Sequence, residues 1–189
     1  MKKIIRKIYY KIKPQDRKFL LKMMPKNAMC AEIGVFKGGF SNQILQVTKP
    51  KKLHLIDLWD PKSNKIILES SHENNIEEDW NDIYELVIKK FNNNKNVLIH
   101  KGNSEDILKS FNDNFFDWIY IDGDHSYKGV KIDLELSYKK VRINGFISGD
   151  DYYENTDYGV INAVDEFLES YPVELIIIKN TQFIIKKLK

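Results

Sequence analysis

Short apolar runs alternate with stretches of helical periodicity along most of the chain. Residues 28–33, 53–56, 97–100, 116–121 and 146–148 are apolar or nearly so and stop at or just before Gly or Asp, which predicts buried strands. Between them, apolar residues recur at i, i+3 and i+4. Ile44, Leu45 and Val47 mark a helix over 41–47, and Trp80, Ile83, Leu86, Val87 and Phe91 mark one over 77–91. A short helix is predicted at 105–109. Val130, Leu134 and Tyr138 mark a crossover helix, and Val160, Ala163, Val164 and Phe167 mark a helix over 159–170 that Pro172 ends. The runs 173–178 and 182–185 are separated only by a turn around Asn180, which forces antiparallel pairing, whereas every earlier connection holds a helix and permits parallel strands. The pattern predicts one α/β unit, a Rossmann-like three-layer sandwich whose seven-stranded sheet is mostly parallel with the last strand antiparallel.

Two stretches stand outside this alternation. Residues 2–13 place Ile4, Ile5, Ile8 and Ile12 at helical spacing opposite cations, and a further turn or two around Phe19, Leu20, Met23 and Met24 precedes Pro25. The plain reading of 2–13 is a helix packed on the domain; the alternative is weak contact with an anionic membrane surface. Residues 58–75 lack periodicity and read as a long loop with one turn around 66–68, a length at which loops often act as lids.

Composition narrows the classes. The 189 residues suffice for one domain with a sizeable core, and 42% hydrophobic with 30% charged residues is ordinary for a globular protein. The net charge of +3 owes much to Lys2, Lys3, Arg6, Lys7, Lys11 and Lys13, so the chain carries no overall nucleic-acid footprint. Cys30 is the only cysteine, which excludes an internal disulfide and cysteine-based zinc sites, and its apolar setting predicts a buried structural thiol. No stretch approaches the ~20 apolar residues of a membrane span, and the basic N-terminus lacks the features of a signal peptide. A cytoplasmic location is the default expectation.

The candidate chemistry lies at the strand ends, where open parallel sheets bind ligands. The first strand runs into Glu32-Ile-Gly34-Val-Phe36-Lys-Gly38-Gly39, and the second ends at Asp57. This is not the dinucleotide fingerprint, because Phe36 stands where a second glycine would let a pyrophosphate approach. A ligand with adenosine but no pyrophosphate fits better. Asp57 can accept two ribose hydroxyls and Glu32 can hold an ammonium group, or each is a solvated acid or cap. Asn103 and Ser104 can reach an adenine edge or cap the helix that follows. Asp122, Asp150 and Asp151 end strands joined by one crossover, and three adjacent carboxylates call for protons or a cation. All-oxygen ligation suits Mg²⁺, Ca²⁺ or Mn²⁺. His125, three residues past Asp122, is placed to act as a base, whereas His54, His72 and His100 carry no such context.

Taken together, AEIGVFKGG, LIDLWD, IDGDHSYKGVKIDLE and FISGDDY resemble the class I S-adenosylmethionine-dependent methyltransferases. They are most similar to the macrocin O-methyltransferase-like branch, related to metal-dependent sugar and catechol-type O-methyltransferases. The resemblance spans roughly residues 28–187, with IDGDHSY its most specific part; Ile143-Asn144-Gly145 replaces the family's usual Pro-Gly-Gly. It divides the chain into a basic N-terminal helical segment, 1–27, and a methyltransferase domain, 28–189.

The resemblance implies that Glu32, Gly34 and Gly38 hold the methionine end of S-adenosylmethionine and Asp57 its ribose. It further implies that Asp122, Asp150 and Asp151 hold Mg²⁺ or another divalent cation, with His125 as general base. The implied reaction is O-methylation of a small-molecule or sugar hydroxyl, with no nucleic-acid partner; a homo-oligomer is compatible with the sequence. The rival readings are a nicotinamide-dependent oxidoreductase and a catalytically silent cofactor-binding or membrane-surface scaffold.

Overall fold

A computed structural model describes residues 17–60, 79–154 and 158–189. The expected helix at 2–13 and most of the loop 58–75 lie outside the described residues. In chain order the elements are α1 (Lys18–Met23), β1 (Met29–Ile33), α2 (Gly39–Thr48), β2 (Lys52–Asp57), α3 (Trp80–Phe91), β3 (Val97–Lys101) and α4 (Ser104–Ser110). These are followed by β4 (Phe116–Ile121), α5 (Tyr127–Lys140), β5 (Val141–Gly149), α6 (Val160–Ser170), β6 (Val173–Lys179) and β7 (Gln182–Lys187).

The sheet has seven strands in the order β3-β2-β1-β4-β5-β7-β6. β1 through β5 pair in parallel, and β7 runs antiparallel to both β5 and β6, as the short turn at Asn180 required. Strand periodicity divides the core. On β4, Trp118 and Tyr120 point to one face and Ile119 and Ile121 to the other. Leu20 and Leu21 of α1, Ile44 of α2 and Val87 and Phe91 of α3 cover the first face. Leu108 of α4, Val130 and Leu134 of α5 and Val164 and Phe167 of α6 cover the second. Each fully buried aliphatic or aromatic side chain contributes about 1.5–3 kcal/mol, so these two layers hold the sheet between them.

Side-chain caps set several helix starts. Asp79 accepts from the Asn81 amide at 2.8 Å, and Ser126 accepts from the Gly129 amide at 3.1 Å. Two expectations shift. β5 begins five residues early, at Val141, and Ile143-Asn144-Gly145 lies inside it as a bulge, with Asn144 at φ 63° and a register shift opposite Phe116 and Trp118. The later half of the 1–27 segment is part of the domain core, since Leu20, Leu21 and Met24 are buried with β1, β2 and β4. Cys30 is buried as expected, and burial pushes its thiol up.

Candidate active site

The turn after β1 touches the end of β4. The Asp122 amide donates to the Ile33 carbonyl at 2.8 Å, and the Gly34 amide donates to the Ile56 carbonyl at 2.9 Å. Gly34 has φ +83°, and a Cβ there would lie 1.9 Å from the Asp122 carbonyl oxygen, so only glycine lets the two loops meet. Asp57 ties the same turn down. Its Oδ2 accepts from the Val35 and Phe36 amides at 2.7 and 2.8 Å, and its Oδ1 accepts from the Trp59 amide at 3.0 Å. The Trp59 indole donates to the Phe36 carbonyl at 3.0 Å, which fixes Phe36 at φ 50°. A carboxylate has about four lone-pair sites, so Asp57 keeps acceptor capacity for one further donor.

Glu32 is only 1% exposed and accepts from the Ser41 hydroxyl at 2.5 Å. Burial pushes its carboxyl up to about 8, against the pull of the Ser41 bond and of Arg17. In this arrangement the carboxyl is sealed beneath the turn. Gly38 caps α2 at φ 67°. On the β3 side, Asn103 accepts from the Glu105 amide at 2.8 Å as the cap of α4, and Ser104 donates to Asp133 Oδ1 at 2.7 Å. Asp133, a buried residue of α5, is pushed up to about 7 by burial. Both side chains offered to an adenine thus have protein partners, while the loop itself lies beside Asp57, whose carbonyl accepts from the Gly102 amide at 2.9 Å.

The acids at the ends of β4 and β5 are brought together, because Ile121 and Gly149 are register partners. Their roles divide in a way the sequence did not reveal. Asp122 accepts from Arg17 Nη1 at 2.8 Å, and Arg17 Nη2 pairs with Asp150. Asp150 Oδ1 also accepts from the Asp151 amide at 2.8 Å, from Thr181 Oγ1 at 2.6 Å and from Gln182 Nε2. The set that shares one small volume is therefore Asp122, His125 and Asp151, each offering one donor atom within 4.8 Å of the others. Asp151 Oδ2 lies 3.2 Å from His125 Nδ1. The His125 ring stacks on Tyr158 with centroids 4.7 Å apart, and its carbonyl accepts from the Gly159 amide at 2.8 Å.

Burial pushes Asp122 up to about 8 and Asp151 up to about 6; Asp150 pushes both the same way, and Arg17 opposes it. Burial lowers His125, against the pull of Asp124 and Asp150. Crowded acids beside an imidazole can bind a cation or take a proton from a bound hydroxyl.

Arg17, Tyr158, Thr181 and Gln182 were not found by sequence reasoning. The aromatic series Tyr152, Tyr153 and Tyr158 after β5 was a visible signal for the stacked tyrosine. Arg17 had none, standing between the basic stretch 2–13 and the turn around Phe19. His54 and His100, assigned no role, bond to each other at 3.0 Å inside a box of Phe111, Phe115 and Phe116. Their place is structural.

Residues 31–152 match a family model described as a methyltransferase domain. No curated protein matches the chain at a significant level. Among solved structures, a protein provisionally described as an rRNA-methylase from Clostridium thermocellum superposes with a TM-score of 0.65 at 12% identity, covering 95% of this chain and 98% of that one. The O-methyltransferase from Bacillus cereus, in complex with S-adenosylhomocysteine, gives 0.63 at 18% identity over 95% and 83%. An S-adenosylmethionine-dependent O-methyltransferase from Thermotoga maritima gives 0.61 at 10% identity over 100% and 70%. At these identities the likeness speaks for the fold.

Proposed function

The chain belongs to the methyltransferase domain family and is an S-adenosylmethionine-dependent methyltransferase; from that premise we propose that it methylates a hydroxyl oxygen of a small molecule or sugar. One observation carries the proposal: Gly34 of the cofactor turn packs directly on the Asp122 backbone, so the turn and the acid–imidazole cluster form one continuous site.

In this reading Asp57 takes a ribose hydroxyl of the cofactor while holding the turn through the Val35 and Phe36 amides. Gly34 lets the turn meet the Asp122 backbone and Gly38 opens α2 at φ 67°, which shapes the turn that takes the methionine end, with the Glu32–Ser41 pair setting its base. The loop at Asn103 and Ser104 borders the adenine. Asp151 holds His125 Nδ1, which leaves the lone pair on Nε2 to accept the acceptor's hydroxyl proton. The hydroxyl oxygen then attacks the sulfonium methyl, a C–O bond forms as the C–S bond breaks, and S-adenosylhomocysteine departs neutral. The proton leaves His125 to solvent. Tyr158 fixes the imidazole plane by stacking, so orientation carries part of the rate.

The residues present fit a divalent cation. Asp122 and Asp151 supply oxygen donors, His125 lies within the same 4.8 Å group, and Asp150 supports them from behind through its bonds to Asp151, Thr181 and Gln182. Asp122 and Asp151 would hold the ion. When bound, Mg²⁺ or a similar ion supplies charge that lowers the pKa of the acceptor hydroxyl.

Phe36 in place of a second glycine weighs against a nicotinamide oxidoreductase. A silent scaffold has no need of the paired Asp151 and His125. Among the described residues no helix is long and apolar enough to cross a membrane; the membrane-surface expectation falls on residues 2–13, outside the described residues. The macrocin-like branch makes sugars the first acceptors to try. The test is transfer of labelled methyl groups from S-adenosylmethionine to a panel of glycans and phenols, with and without chelator. Labelled methyl ethers are expected. Transfer only to amines or to rRNA would overturn the hydroxyl reading.

A further inference from the structure

We propose that Arg17 is the resident cation of the strand-end acids, and that a divalent ion binds only by taking Asp122 from it. The inference rests on the reading above that Asp122 and Asp151 would hold such an ion.

Arg17 is one of three arginines in the chain, and its planar fork is suited to spanning two carboxylates. Nη1 lies 2.8 Å from Asp122 Oδ2, and Nη2 pairs with Asp150 Oδ2. The placement is built. The guanidinium lies 5.1 Å from the centroid of Phe40 and 5.8 Å from that of Tyr120, and its side chain is 20% exposed. The next residues begin α1, whose Leu20 and Leu21 are fully sunk in the core, so the helix is anchored where it delivers the arginine.

Two cations on one carboxylate repel each other, the more so where water is partly excluded. Asp122 is the residue that both claims share. Asp150 can keep Arg17, since its other oxygen is held by the hairpin residues Thr181 and Gln182. Arg17 thus sets a threshold for ion binding, and occupancy of the ion loosens the start of α1. The link joins the first helix to the chemistry through one side chain.

The experiment titrates Mn²⁺ into the full chain by electron paramagnetic resonance, using wild type, Arg17→Gln and Arg17→Lys. S-adenosylhomocysteine binding, measured by calorimetry, reports on the cofactor site in each. Arg17→Gln should bind Mn²⁺ at least tenfold more tightly than wild type, with Arg17→Lys between, because an ammonium cannot span both acids. In wild type, saturating Mn²⁺ should speed amide exchange in residues 18–24. That second measurement needs no variant and stands if Arg17→Gln fails to fold. Equal or weaker Mn²⁺ binding by Arg17→Gln with cofactor binding intact, or unchanged exchange in wild type, overturns the inference and leaves the ion reading in place. If no form binds Mn²⁺, the ion reading and this inference both fall; retained S-adenosylhomocysteine binding would still uphold the methyltransferase.

Discussion

The carboxylates at the ends of β1 and β2 are held by near neighbours, whereas those at the ends of β4 and β5 are held from across the chain. Glu32 is bonded to Ser41, nine positions on, and Asp57 to amides of the turn 21 and 22 positions back and of Trp59 two positions on. Asp122, by contrast, is held by Arg17 at a separation of 105 residues, and Asp150 by Thr181 and Gln182 at 31 and 32. The first region is organised by one βα unit and its neighbouring strand. The second exists only once β4, β5, the terminal hairpin and α1 have all come together.

The joint between the two regions is where a change does most. Gly34→Ala forces a Cβ to within 1.9 Å of the Asp122 carbonyl in a backbone conformation, φ +83°, that L residues rarely adopt. S-adenosylhomocysteine affinity should fall about 100-fold, or about 3 kcal/mol, by calorimetry. Retained affinity would mean the regions are not in contact as described.

Asp150→Ala tests the long-range side. It removes one of the carboxylates that Arg17 pairs with and the acceptor of Gln182 Nε2, and should cost about 3 kcal/mol in urea unfolding, in the range for breaking a buried pair. A loss below about 1 kcal/mol would show that the hairpin does not hold this region.

Glu32→Gln tests the short-range side through pH. Burial raises the carboxyl from its ordinary 4.5 to about 8, so the native state holds a proton that the unfolded state releases. Stability from this group is full below pH 4.5 and is lost as pH rises through about 8. The glutamine variant lacks that loss, so at pH 8 it should exceed wild type by roughly 2–4 kcal/mol and match it near pH 4. Parallel pH profiles would contradict a sealed Glu32.

His54→Phe is the smallest change, and it lies in neither region. Burial, with His100 and Lys52, lowers His54 from 6.5 to about 4, so its contribution is present above pH 6.5 and lost as pH falls through about 4. The variant should be less acid-sensitive by about 1–2 kcal/mol at pH 5, with cofactor binding unchanged. Weakened cofactor binding would extend the site to β2 and β3.

The same contrast explains what could be read from the residues alone. The seven strands and their helices were legible because apolar runs and helical spacing are local patterns. That Asp122, Asp150 and Asp151 end neighbouring strands was legible because one crossover places β4 beside β5. The diversion of Asp150 was not, since its partners come from a hairpin whose register with β5 no local pattern reveals. Arg17 was hidden among lysines, and only the assembled sheet shows that it faces Asp122. The His54–His100 bond likewise needed the pairing of β2 with β3, which sets Ile56 against His100.

The most direct test is paired calorimetry of the intact chain against S-adenosylhomocysteine and NAD. The site described here predicts stoichiometric S-adenosylhomocysteine binding in the micromolar range, weakened at least tenfold by Asp57→Ala, and no heat with NAD. Binding of NAD in place of S-adenosylhomocysteine would contradict it.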